Sequence, residues 1–436
     1  MLDRLVGAVR RLEVLDAVRW ALLVAAGLAL TALAVATDLR VGEPGAPFTG
    51  AYRFKVEIGT VLAPGVAVSV LVAVRAGATE RASWRLLLLL AYVAAAAWAI
   101  SLALVDGGNG LASPVDSPNE YLADVPAVGD HPGAFVRDFV PNVEGYSVAT
   151  RTHPPAPVLL LWLFNRLGVT RPLTLGVLLT LIGCASVPFV AVAVRSVCGE
   201  LAARRLLPVL VLAPYAVWVA VSMDAVAAAL AAASVAVGVL ASEPGRRPRW
   251  ALSAGVLLGV AALFSYAIGW LAAIPIAVCF VRRRGTTIAL MGAGALGPLL
   301  IARAMGFVWP DGLTAAQADW SIRIGPHRSW LLWAFLDLLL LLVACGPVVV
   351  TAARRIRRTP GWPFLLGAAI GIGFAVGSGL ARGEVERSWL PFFPWLLVPV
   401  TAPDEPGGAP NKAPLLLVLL GAVGAVVIES VLRSAW

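Results

Sequence analysis

Seven charged or polar side chains stand where apolar runs begin or end: Asp106, Glu120, Arg151, His153, Asp224, Glu384 and Arg387. A carboxylate can take the proton of a reacting hydroxyl, while arginine and histidine can stabilise a departing oxyanion. Together these groups could serve proton transfer and the binding of a phosphate or other oxyanion. Asp106, which ends the run "LLLLLAYVAAAAWAISLALV", and Glu120, within "PNEYLADV", are the candidate bases. His153 and Arg151 in "GYSVATRTHPPAP" and Arg387 in "ARGEVERSW" are the candidate phosphate donors. Arginine suits phosphate because its planar fork offers two parallel hydrogen bonds. Tyr121, Asp124, Asp224 and Glu384 are candidates for acceptor-side or supporting roles, with Arg303, Arg323, His327 and Arg328 as secondary cations.

Each candidate also has a plainer use. Asp106 suits a helix end facing water, and His153 suits a cap on the "HPP" turn. Asp224 suits a helix N-cap, and Asp124, Asp130 and Asp138 suit solvated or capping positions. Arg382, Glu384, Glu386 and Arg387 could equally form an ion-pair network latching two helices. A carboxylate with a histidine can also hold a divalent cation, but no dense ligand spacing is visible, so no metal is assigned.

The elements that must position these groups are helices. The chain has 436 residues, 60% of them apolar and 14% charged. Apolar runs of about 20 residues recur, the length that crosses a hydrocarbon layer roughly 30 Å thick. A β-barrel would instead alternate over segments of about 10 residues. The fold class is therefore an all-α, polytopic transmembrane helical bundle. The net charge of +9 is concentrated in six short arginine clusters: Arg4, Arg10 and Arg11; Arg75, Arg81 and Arg85; Arg195, Arg204 and Arg205; Arg246, Arg247 and Arg249; Arg282 to Arg284; and Arg354, Arg355, Arg357 and Arg358. Lys and Arg collect on the cytoplasmic side of membrane proteins, so the clusters report topology, and no nucleic-acid partner is implied. Cys184, Cys198, Cys279 and Cys345 lack CxxC spacing and imply neither a disulfide framework nor a metal site. The leading "MLDRLVGAVRRLEVLDAVRW" is basic and amphipathic, without the small-residue site of a cleaved signal peptide.

Threading every cluster to the cytoplasm gives about 13 crossings, including 206 to 223, 224 to 241 and 388 to 402. Three regions follow: a two-span extension (1–85), a core (86–281) and a C-terminal transmembrane region (282–436). The stretch 106–152 becomes a large extracytoplasmic loop. Within it "PNEYLADV" and "GAFVRDFV" read as short interfacial helices. After "HPPAP", the run Val158 to Leu167 is too short to span and reads as a half-buried or re-entrant helix started by prolines. "GAGALG" (Gly292 to Gly297) reads as a helix-packing surface.

The order of these features carries a resemblance. A span ending in Asp106, then "NEYL", then "HPP" with a short apolar helix, a span ending in Arg195, and "SMDAVAAALAAASVAV" resemble the GT-C superfamily of membrane glycosyltransferases. The similar members are the protein O-mannosyltransferases and lipid A aminoarabinose transferases, and the likeness covers roughly Leu86 to Val281. The later "GEVERSWLPFFPWL" resembles a segment of actinobacterial membrane proteins of this kind. Members of the family usually place this loop after the first span, whereas two extra spans precede it here, and Asn119 stands before Glu120 where the family commonly has an Asp-Glu pair.

The resemblance implies a plasma-membrane (inner-membrane) enzyme with an extracytoplasmic site. It would take a sugar, arabinose or mannose, from a polyprenyl-phosphate donor lipid and pass it with inversion to a cell-envelope glycan or glycolipid. Some GT-C enzymes use a divalent cation. The alternative is a transporter or flippase of lipid-linked envelope precursors, against which the absence of an internal repeat counts.

Overall fold

The structure, a computed structural model, describes residues 2–37, 39–356, 359–379 and 381–434. Arg357 and Arg358 lie outside the described residues, and the side chains of Arg4 and Arg10 are likewise not described. The chain is about 72% helical. Its strands are Gly50–Tyr52 and Leu432–Ser434, which pair antiparallel.

Among the described residues, five helices are long and apolar enough to cross a membrane: Arg11–Ala36, Trp84–Asp106, Pro172–Cys198, Met223–Ala241 and Gly285–Ala304. A sixth results if Trp330–Cys345 and Val348–Arg354, bent by 107°, count as one. Six shorter apolar helices accompany them: Gly59–Arg75, Ala156–Arg166, Pro248–Ala262, Tyr266–Val281, Trp362–Ser378 and Leu415–Val431.

Three of the 13 expected crossings are not single helices: 330–351 falls in the pair bent by 107°, and two others break up altogether. In 206–223 the helix Glu200–Val211 stops and a tight turn, Pro214–Trp218, follows. Pro214 forces Ala213 into an extended conformation (ψ 141°), which an α-helix cannot continue through. Residues 388–402 fold into the short turns Val385–Ser388, Phe393–Leu396 and Val398–Val400. Pro391, Pro394 and Pro399 remove the donors a continuous helix needs. Their apolar side chains, including Phe392, Phe393 and Trp395, are buried as core.

The Ala-rich helix Met223–Ala241 lies at the centre, with nearly all of its side chains buried. Small residues let neighbouring backbones approach it closely. A Cβ on Gly183 would sit 2.7 Å from the Ala225 Cβ. Within "GAGALG" it is Gly294 that makes such an approach, since a Cβ there would lie 2.3 Å from the Leu252 carbonyl oxygen. Large apolar side chains face outward around the bundle, among them Val61, Phe280 and Ile301. Exposed apolar surface on this scale suits a lipid surround.

Polar contacts gather at two opposite ends. At one, Arg204 donates to the carbonyls of Thr79 and Ala82, Arg205 pairs with Glu80, and Arg282 donates to Ser196 and Ser242. There too Arg354 and Thr351 bind the buried Asp16. These contacts bring arginines of three of the clusters to one end of the bundle. At the other end, residues 106–152 pack against the turn at 220–223 and against Arg387. The interfacial segments turn Tyr121, Val125, Phe135, Val136 and Phe139 into protein. Ala156–Arg166 begins with Ala156 N–H donating to the Leu263 carbonyl and ends with Arg166 bound to Asp130. Both of its ends are therefore tied to this same polar end, and it lies across the bundle as a half-buried helix without dipping through it. Residues 309–323 form a further helix of 15 residues, Trp309–Arg323.

Candidate functional site

Four of the nominated side chains meet at the end remote from the arginine clusters. Arg387, on the short helix Val385–Ser388, donates from Nη1 to Glu120 Oε1 at 2.6 Å. Its Nε lies 3.1 Å from Asp224 Oδ2. The other oxygen of Asp224 is 3.5 Å from His153 Nε2. The imidazole is fixed from behind, because Nδ1 is 2.9 Å from the Ala149 carbonyl and 3.1 Å from Thr152 Oγ1. A carbonyl only accepts, which places a proton on Nδ1, and the contact of Nε2 with the Asp224 carboxylate is favourable when Nε2 also donates.

Local structure explains how each group arrives. Ser222 caps the central helix by accepting from Asp224 N–H at 3.1 Å. The cap expected of Asp224 is thus supplied by Ser222, and the Asp224 carboxylate is left for Arg387 and His153. As an acid in the first turn, it also lies where the helix dipole favours negative charge. Glu120 precedes the turn Tyr121–Asp124 in an extended conformation. Glu384 adopts a left-handed conformation (φ 63°) that turns the chain into the helix bearing Arg387. Tyr121 packs edge-on against His153, with ring centroids 5.7 Å apart.

Charge balance accounts for the stability of the cluster. Burial works against the Arg387 guanidinium, but Glu120 and Asp224, joined by Tyr121 and Glu384, outweigh it and hold its pKa above the ordinary arginine value. Burial, reinforced by the Asp224 charge, keeps the Tyr121 phenol well above its usual pKa, so it remains a neutral hydroxyl. Beside Arg387, burial and then Glu384 push Glu386 up to about 7, against backbone hydrogen bonds from Glu386 itself and Thr49.

The remaining nominees lie elsewhere. Asp106 binds Lys55 Nζ at 2.7 Å, in a group completed by Glu429 at 3.8 Å and the Leu432 carbonyl. That buried lysine, 51 positions upstream, draws it away from Arg387. Arg151 donates to the Tyr146 carbonyl and faces Asp319 at 3.5 Å. Asp124 accepts from Ser147 N–H at 3.0 Å and closes the loop 124–147. Glu384 lies 4.0 Å from Arg328, which also binds Glu43 and the Arg382 carbonyl. The expected latch of Arg382, Glu384, Glu386 and Arg387 is thus distributed otherwise: Glu384 faces Arg328, Arg382 donates to the carbonyls of Gly325, Arg328 and Gly379, and Arg387 faces Glu120 and Asp224.

A cavity adjoins Arg387, walled by Glu120, Tyr121 and Ser222 on its polar side and by Leu161, Leu179 and Val217 on its apolar side. Its free space is about 40 Å³, room for a few waters and too little for a sugar ring. Trp218 and Val221 also line it, and sequence reasoning named neither. A tryptophan within "PYAVWVAVS" reads as core, and only the neighbouring prolines signalled an irregular backbone at that depth. Among the described residues no group of three or more His, Cys, Asp or Glu side chains is placed to hold a metal ion. The chain matches no protein-family model, no curated protein and no solved structure.

Proposed function

We propose that the protein is a glycosyltransferase of GT-C type, taking a sugar from a polyprenyl-phosphate donor and passing it to a hydroxyl of an envelope glycan or glycolipid. One observation carries the reading: Arg387 is held between Glu120 and Asp224, with His153 behind, at the end of the bundle remote from the basic clusters. By the bias of Lys and Arg toward the cytoplasm, that end is extracytoplasmic. Nucleotide sugars are not available there, whereas lipid-phosphate sugars are.

In this reading the donor phosphate exchanges with Glu120 on the Arg387 guanidinium, which can hold phosphate oxygens through two parallel N–H groups. Glu120, released beside the reacting centre, accepts the proton of the incoming hydroxyl. That oxygen attacks the anomeric carbon from the face opposite the phosphate. The C–O bond to phosphate breaks, its electron pair leaves with the phosphate, and Arg387 and His153 stabilise the charge. Asp224 keeps Arg387 and His153 in register. The narrow cavity must widen to admit the donor, so the walls at 114–115 and 217–221 move in the catalytic cycle.

Purified protein incubated with radiolabelled polyprenyl-phosphate sugar and envelope extract tests the reading. Glu120→Gln lowers transfer by about 10²- to 10⁴-fold, the usual contribution of a general base, while donor binding persists. Folded Glu120→Gln and Arg387→Lys variants with wild-type transfer would overturn it. So would substrate uptake into proteoliposomes with no covalent transfer, which would favour a transporter.

A further inference from the structure

The arginines at the basic end divide by what they hold. Arg195, Arg204, Arg205 and Arg354 bind acids or carbonyls of the fold. Arg247, Arg249, Arg283 and Arg284 are exposed and have no polar partner among the described residues. Arg282 ties together the two loops that carry them, donating to Ser242 Oγ at 2.7 Å and to the Val239 carbonyl at 3.1 Å. Glu243, the acid beside them, is already bound by Arg246 at 2.8 Å and by Ser196 Oγ at 2.8 Å.

The helices that leave these loops, Pro248–Ala262 and Gly285–Ala304, lie against each other. A side chain on Gly255 would strike the Met291 carbonyl, and one on Gly259 the Ala295 carbonyl. Both pairs differ by 36 positions (291 − 255 and 295 − 259), so the helices are parallel, and the same offset carried back to their starts sets Arg247 level with Arg283. Neither start is capped by a side chain and neither first turn holds an acid, so the positive helix ends reinforce the arginines.

The turn at 279–284 is built to present cations. Arg284 N–H donates to the Cys279 carbonyl at 2.8 Å and Arg283 N–H to the Phe280 carbonyl at 3.0 Å, the paired bonds that close a helix C-terminus. The left-handed position of that motif ordinarily holds glycine, but here Arg283 occupies it at φ 55°. Such strain collects at binding sites. Phe280 and Val281, immediately before the turn, are 78% and 59% exposed, so apolar surface borders the cations. A soluble anion or a nucleic acid has no use for that border, whereas a lipid brings both a phosphate and chains.

We propose that this edge binds a doubly charged anionic phospholipid of the leaflet it faces. Its phosphates lie among Arg247, Arg249, Arg283 and Arg284, and its chains run along Phe280 and Val281. Two phosphates fit because the arginines stand in two runs on neighbouring helix starts, the kind of basic pocket between membrane helices that takes such headgroups. The site is at the end of the bundle opposite Arg387 and does not depend on sugar transfer.

Full-length protein in detergent micelles, titrated with cardiolipin or phosphatidylcholine and read by native mass spectrometry, provides the test. Wild-type protein binds cardiolipin at least about tenfold more tightly than phosphatidylcholine. An arginine near a charged lipid surface contributes about fivefold in affinity, so Arg247→Gln combined with Arg284→Gln weakens cardiolipin roughly 25-fold. Arg283→Gly weakens it about fivefold without lowering the thermal midpoint, because glycine relaxes the turn; an arginine kept only for the fold would lower the midpoint and leave affinity unchanged. Arg75→Gln combined with Arg85→Gln, at exposed arginines of another cluster, is the control and stays within about twofold of wild type. Equal affinity for the two lipids overturns the proposal, as does wild-type cardiolipin binding in the Arg247/Arg284 variant. Equal losses in that variant and the control overturn it too, since the attraction would then belong to the whole basic face.

Discussion

Replacing Arg387 by methionine isolates the energetics of the cluster. The guanidinium is nearly buried and contacts two carboxylates whose side chains are only 13% and 5% exposed. Removing it leaves Glu120 and Asp224 side by side with no arginine, a change that costs about 3 to 5 kcal/mol when one partner of a buried ion pair is lost. Glu120→Gln alone leaves Arg387 on Asp224 and costs about 1 to 3 kcal/mol for the charged hydrogen bond. In the double variant the repelling acid is already neutral, so its cost falls short of the sum by about 2 kcal/mol, the size found for residues in one ion-pair network. Unfolding in mixed micelles, followed by tryptophan fluorescence, measures all three. Asp16→Asn, at the opposite end of the bundle, combined with Arg387→Met serves as the additive control. A coupling between positions 120 and 387 no larger than that control would refute the claim that the two side chains share a buried contact.

Asp106→Asn loses about 1 kcal/mol of stability, because the Lys55 pair is buried on one side only, yet transfers sugar within about twofold of wild type; a hundredfold loss would return Asp106 to the reaction. Folded Glu386 keeps its proton up to about pH 7 whereas an unfolded glutamate loses it near 4.5, so the folded state binds more protons between those values and weakens as pH rises through them. Glu386→Gln should therefore match wild type near pH 4.5 and gain on it, by at most about 3 kcal/mol, at pH 8; a pH-independent difference in denaturation midpoints would refute the burial argument. All four native cysteines are buried, so Ser113→Cys on intact cells should react with a membrane-impermeant maleimide while Arg246→Cys should not, and the reverse pattern would invert the topology.

The helical class and the sorting of arginines to one face were legible because both follow from composition and spacing alone. Glu120, Asp224, His153 and Arg387 were legible for a related reason: charge at the edge of an apolar run needs a partner, and each found one among the others. Asp106 looked equivalent by that criterion, but its partner Lys55 sits in a separate segment, and pairing between segments leaves no trace in local pattern. The broken segments 206–223 and 388–402 carried their own signal in Pro208, Pro214, Pro391, Pro394 and Pro399, which hydropathy outweighed. Asp319 was hidden in the helix Trp309–Arg323, whose mixed composition reads as loop. Trp218 was invisible because lining a cavity is a property of the packed state.

The contacts around Lys55 also impose an order on assembly. Its ammonium group meets Asp106 after 51 further residues are made, but the Leu432 carbonyl comes 377 positions later. Between the two lie 377 − 51 = 326 residues, which at ribosomal speeds of about 5 to 20 residues per second take roughly 16 to 65 s. During synthesis the lysine thus waits half-satisfied, and the pairing of Gly50–Tyr52 with Leu432–Ser434 becomes the closing event that ties early helices to late ones.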